Sequence, residues 1–120
     1  MMLYKSAAVS LGVLLIVTLL PAQGAPAYAQ EGAQLYSDNC TACHGQSGKG
    51  DGPAAAGLNP KPADFSKVLG GESDDWLAKV ISGGGQAVGK APMMPGFDGA
   101  FSAEQMQSLI GYLKELAAKK

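Results

Sequence analysis

The chain has 120 residues, with 9 basic against 10 acidic side chains and a formal net charge of −1. That balance offers no basic footprint for nucleic acid. A single histidine and two cysteines also fall short of the four protein ligands that a structural zinc site wants.

Residues 1–29 read as a secretion signal. Lys5 supplies the positive start, and Ala7 to Leu20 is uncharged and rich in Leu and Val. Pro21 and Gly24 break the run, and Ala27-Tyr28-Ala29 is a small-x-small cleavage site. The apolar run is short for a membrane span, which needs about 20 residues. An uncleaved anchor over residues 6–20 is the competing reading. Cleavage predicts one exported, periplasmic domain over residues 30–120, where 8 lysines and no arginine face 10 acidic residues, a balance of −2. A domain of this size buries little core by itself and usually needs a staple.

The first helix is expected from about Glu31 to Asn39. Gly32, Tyr36 and Cys40 recur at i, i+4 and i+8 and share a face. It leads into Cys40-Thr41-Ala42-Cys43-His44, a C-x-x-C-H, the attachment signature of a c-type haem. Two thiols three residues apart can each add across a haem vinyl group. The imidazole after the second cysteine then lies under the iron as an axial ligand. A disulfide redox motif would want a βαβ setting, and no strand precedes this one. The motif occurs once, so one haem c, covalent through Cys40 and Cys43, is expected, and its apolar faces would supply the missing core.

Residues 45–71 are dense in Gly, Pro and Ala and read mostly as loop. Ser73 is a plausible N-cap, with Asp74 and Asp75 complementing the helix dipole. The helix that follows carries Trp76, Leu77, Val80 and Ile81 on its apolar side and ends at Gly83-Gly84-Gly85. Residues 86–101 are again loop. Ser102 with Gln105 makes a capping box, and Met106, Leu109, Ile110, Leu113 and Leu116 follow at helical spacing. Nothing alternates like a strand, so the fold class is all-α.

The second axial position needs a donor, and the chain has no second histidine. Met1 and Met2 belong to the signal and Met106 to a helix core face. Met93 and Met94 stand in Ala91-Pro92-Met93-Met94-Pro95-Gly96-Phe97, a proline-flanked loop that can hold a ligand at low entropic cost. Either thioether could ligate iron, or both could merely fill space.

With these parts in this order the chain resembles the class I cytochromes c. The resemblance rests on a helix leading into C-x-x-C-H, the downstream Gly52-Pro53, the Met94-Pro95-Gly96-Phe97 loop, and a final helix with Leu109-Ile110-Gly111-Tyr112-Leu113. It implies a small all-α domain wrapped around one haem. In that family the ligand methionine directly precedes the proline, which selects Met94 over Met93. A Gly-Pro carbonyl accepts from the axial histidine's other ring N–H, which implies Pro53 as the acceptor. The family's close crossing of first and last helices is matched by Gly32, Tyr36 and Tyr112. Gly48 to Pro53 and Lys61-Pro62-Ala63-Asp64-Phe65 also resemble bacterial cytochrome domains that occur alone or as oxidase or reductase subunits.

The expected function is single-electron transfer in the periplasm through iron ligated by His44 and Met94, with no enzymatic activity. The expected partners are redox proteins: an oxidase, a reductase or a dehydrogenase. A monomer is expected, and membrane association only if the signal segment stays. The rivals are a haem sensor or small haem enzyme with a displaceable methionine, and a subunit of an oxidase or reductase complex. Trp76 is a candidate donor to a haem propionate against a role in packing. Lys49, Lys61 and Lys90 are candidates for a docking patch against scattered surface charge.

Overall fold

The computed structural model describes Gly24 and residues 26–119. The secretion signal therefore lies outside the described residues, apart from Gly24 and 26–29. Among the described residues five α-helices follow in order: α1 Ala27–Asn39, α2 Thr41–His44, α3 Phe65–Val68, α4 Asp74–Gly83 and α5 Ala103–Ala118. Two short 3-10 turns, Ala55–Gly57 and Gly85–Val88, interrupt the connections. No strand occurs among the described residues, which agrees with the all-α expectation.

The frame is set by α1 crossing α5. Gly32 lies at the crossing, where a Cβ would come 2.1 Å from the Ser108 carbonyl oxygen. A side chain at 32 would drive the helices apart, so the missing one allows the close approach. Beside it the Ser108 hydroxyl donates to the Glu31 carboxylate at 3.0 Å. One turn along, Tyr36 is 1% exposed and packs its ring on Tyr112 at 5.5 Å between centroids. α1 begins at Ala27, ahead of the expected Glu31, with its first turn bonded to the Pro26 carbonyl.

The caps read from sequence form as expected. The Ser73 hydroxyl accepts from the Trp76 N–H at 3.1 Å and opens α4. Ser102 and Gln105 exchange side-chain to backbone bonds at 3.1 and 3.0 Å and open α5. Satisfying these first-turn donors stabilises each helix by about 1 kcal/mol. Both helices then turn an apolar face inward: Leu77, Val80 and Ile81 from α4, and Leu109, Ile110, Leu113 and Leu116 from α5. With Tyr36, Phe65 and Leu69 they form one core. A salt bridge from Lys114 to Asp74 ties the outer surfaces of α5 and α4.

The segment between His44 and α4 is more ordered than a glycine-rich loop suggests. It folds back on the motif through Gly50 N–H to the His44 carbonyl at 2.9 Å and Ala54 N–H to the Ala42 carbonyl at 2.8 Å. It also forms α3, which sequence periodicity missed because four residues are too few to show a period. Asp64 caps this helix by accepting from the Ser66 N–H at 3.0 Å.

Candidate haem-binding site

The attachment motif is a continuation of α1. The Cys40 N–H donates to the Tyr36 carbonyl at 2.9 Å, and the His44 N–H donates to the Cys40 carbonyl at 2.9 Å. The two thiols are therefore carried on one turn of backbone, with the imidazole at its end. Both cysteines are free and half-buried. Burial, reinforced by the neighbouring Cys43, pushes the Cys40 thiol up to about 11.

Cys40, Cys43 and His44 open onto a cavity of about 370 Å³ that Met93 and Met94 also line. The remaining lining is largely apolar, from Phe65, Leu77, Ile81 and Leu113 among others. Five parts of the chain distant in sequence thus converge on one space. The two methionines differ within it: Met94 is half-buried and packs against the core, whereas Met93 is 44% exposed.

The imidazole is held by a residue that sequence reasoning did not assign. The Phe65 ring lies 4.7 Å from the His44 ring at 34°, and 6.3 Å edge-on from Tyr36. The Tyr36 hydroxyl in turn donates to the Gly45 carbonyl at 2.5 Å. Burial, before any other cause, raises the pKa of that phenol. No local pattern singles out Phe65, because its part depends on a loop folding back across the motif. The Phe65 N–H bonded to the Gly48 carbonyl at 2.8 Å makes that fold.

Pro53 does not take the place expected for it. His44 Nδ1 is buried and has no hydrogen-bond partner among the described residues, so the Pro53 carbonyl does not accept from it. The reason is the bond from Ala54 N–H to the Ala42 carbonyl, with that from Gly52 N–H to the Cys43 carbonyl at 3.1 Å. Together they lay Gly52-Pro53 along α2, in a separate groove with Thr41 and Ala42. The backbone beside the imidazole is that of Ala63. Burial lowers the His44 pKa, and the Ala63 backbone pulls the other way by proximity.

The three lysines considered for docking do not share one setting. Lys49 is engaged, 3.2 Å from the Ser66 hydroxyl and 3.9 Å from the Asp64 carboxylate. Lys61 and Lys90 stand on the cavity wall, as does Trp76.

The donor set of two thiols, an imidazole and a thioether in an apolar cavity fits a haem attached through its vinyl groups. It fits poorly with a bare metal ion, for which no cluster of three His, Cys, Asp or Glu exists among the described residues. The family model "Cytochrome c" matches residues 29–117. The chain belongs to the cytochrome c family. Among its relatives is a cytochrome c6 of Limnospira maxima, 33% identical over 88 residues that cover 73% of this chain and 92% of that protein. A cytochrome c6 of Thermosynechococcus vestitus is 30% identical over 110 residues, covering 92% of this chain and 88% of that protein. The FixP subunit of a cbb3-type cytochrome c oxidase from a Bradyrhizobium species is 29% identical over 92 residues, 77% of this chain but 29% of that subunit. As a member of this family the chain carries one covalently bound haem c and serves electron transfer. Its two cysteines stand in the C-x-x-C arrangement that attachment needs.

Proposed function

We propose that this cytochrome is a periplasmic electron carrier whose haem is attached through Cys40 and Cys43 and whose iron is ligated by His44 and Met94. The observation that carries the reading is the convergence of all four side chains on one apolar cavity. Bound haem supplies the ferric–ferrous couple. His44, its ring braced by Phe65, would hold the iron through an imidazole nitrogen, and Met94 would hold it through its thioether sulfur. A histidine–methionine pair raises the reduction potential, because a thioether favours ferrous iron. The apolar lining works in the same direction, because burial disfavours the additional charge of the ferric state.

Residues 1–29 direct export and are removed, leaving residues 30–120 as the working domain. The family match beginning at residue 29 supports that boundary. No helix among the described residues is long and apolar enough to cross a membrane. The partners are redox proteins that meet the cavity mouth, where Lys61 and Lys90 stand.

The likeness to FixP favours a second reading, in which the domain works inside an oxidase or reductase complex. Purification of the native protein from periplasm as a solitary monomer supports the free carrier, and co-purification with an oxidase supports the complex.

The test of ligation uses the exported holoprotein. Its ferric form is expected to show the weak near-infrared charge-transfer band of a thioether–iron bond. Met94→Ala is expected to remove the band, admit carbon monoxide to ferrous iron and lower the potential. Met93→Ala is expected to leave all three nearly unchanged. The opposite outcome would assign the ligand to Met93, and absence of the band from the unsubstituted protein would favour a sensor or enzyme.

A further inference from the structure

The loop that carries Met94 is closed on itself and tied to α4 by backbone hydrogen bonds. Gly85 N–H donates to the Met94 carbonyl at 3.1 Å, and Lys90 N–H donates to the Gly85 carbonyl at 2.7 Å. Beyond the methionine, Phe97 N–H donates to the Ile81 carbonyl at 2.9 Å. The first two bonds close residues 85–94 on themselves just past the end of α4, and the third ties the far side of the loop to the last turn of α4.

Three glycines make that closeness possible. Gly84 has φ 76° and ψ −178°, a conformation open essentially to glycine alone. A Cβ on it would lie 2.7 Å from the Met94 carbonyl oxygen and 2.9 Å from the Gly96 nitrogen. A Cβ on Gly96 would lie 2.6 Å from the Ser82 carbonyl oxygen, pressing the same seam from the loop side. Gly85 is the informative case. Ending a helix takes one residue of positive φ, and Gly84 supplies it. Gly85 is not among the residues of positive φ, so no turn demands a glycine there. Yet a Cβ on it would stand 2.0 Å from the Ala91 carbonyl oxygen. What demands glycine at 85 is the approach of the methionine loop.

We propose that Gly84, Gly85 and Gly96 form a backbone seat that sets the position of Met94, and that they act as positioning residues for the axial thioether. This rests on Met94 being the ligand. Half of the liganding geometry is then built into main chain. A side chain at 85 must push Ala91 from 2.0 Å out to about 3.4 Å before the contact is ordinary. A metal–ligand geometry tolerates displacements of roughly 0.5 Å, so the sulfur leaves the iron before the fold is lost.

The test compares holoproteins of Gly85→Ala, Gly96→Ala and Met94→Ala with two controls. Gly71→Ala is the neutral control, because a Cβ there meets nothing within 4 Å. Leu116→Ala is the destabilised control, because that residue is 5% exposed in the core and does not line the cavity. Covalent haem is read by pyridine haemochrome, ligation by the near-infrared band and carbon monoxide binding, and stability by thermal melting. Gly85→Ala is expected to keep covalent haem, lose most of the band and bind carbon monoxide, with Gly96→Ala moving the same way to a lesser degree. Gly71→Ala should match the parent, and Leu116→Ala should melt earlier with its band intact. An intact band and closed iron in Gly85→Ala, with Met94→Ala losing the band, overturns the seat and leaves the ligand assignment standing. A band that survives Met94→Ala overturns the ligand assignment and the seat with it. Absence of covalent haem in both Gly85→Ala and Gly96→Ala also overturns the proposal, since the glycines then serve folding.

Discussion

The two walls of the haem cavity are built in opposite ways. On one, Cys40, Cys43 and His44 lie within five consecutive residues on a turn that extends α1. On the other, Met94 sits on a loop some fifty positions further along, fixed by backbone bonds to a helix end and a seam of glycines. The first wall is local and exists wherever the five residues form a helical turn. The second exists only once α4 and its loop have packed. A cofactor captured covalently on the local wall can therefore direct assembly of the distant one, and damage to the two walls should have unequal consequences.

The sharpest break of that asymmetry is His44→Ala. It is expected to abolish stable holoprotein, whereas Met94→Ala should keep the covalent haem and lose only the sixth ligand. Haem staining of periplasmic extracts reads the difference. Normal yields of a six-coordinate His44→Ala protein would contradict the whole assignment.

Phe65→Ala tests how far the local wall depends on the rest of the fold. Phe65 is 8% exposed and braces both His44 and Tyr36. Its loss is expected to cost about 3–5 kcal/mol in denaturant unfolding of the holoprotein and to increase the freedom of the imidazole. Unchanged stability would mean that the motif holds its histidine without help.

Tyr36→Phe is milder. It leaves the ring packing in place and removes the bond to the Gly45 carbonyl, so about 1 kcal/mol is expected by the same measurement.

Asp64→Asn should have the smallest effect, and one that depends on pH. The Ser66 hydroxyl first, then the Ser66 N–H and Lys49 and Lys67, hold the Asp64 carboxyl below the usual carboxylate range. A depressed folded pKa stabilises above the unfolded value and loses that contribution as pH falls through the folded one. The melting difference between parent and Asp64→Asn should therefore be present at neutral pH and shrink in acid, just below the ordinary carboxylate range. A difference that grows in acid would reverse the assigned sign.

The same asymmetry separates what was legible in the sequence from what was not. Cys40, Cys43, His44, the caps at Ser73 and Ser102, and the apolar faces of α4 and α5 all follow from short-range spacing. The caps and the apolar faces form as that spacing predicts, because a turn or a helical period contains its own evidence. Phe65 against His44 was not legible, since it arises where a loop without periodicity folds back across the motif. Pro53 was misplaced by resemblance for a related reason: a Gly-Pro can be recognised in a string, but which carbonyl faces the imidazole depends on the path of the intervening loop. Gly83-Gly84-Gly85 was read as a helix stop, which is right for Gly84. For Gly85 the reason lies in Ala91 and the loop behind it, six residues on in sequence but touching in space.

The crossing of α1 and α5 has a consequence for the chain as a whole. Glu31 and Ser108 meet across most of its length, so the two ends of the domain are clasped and the middle is an excursion between them. The turn at Gly70-Gly71 is exposed and free of close neighbours, the type of site where proteases nick. A cut there divides the domain into one piece bearing the thiols and histidine and another bearing both methionines of the loop. The clasp at Gly32 and Ser108 still joins them, so the nicked protein should behave as a noncovalent two-fragment complex that keeps its colour.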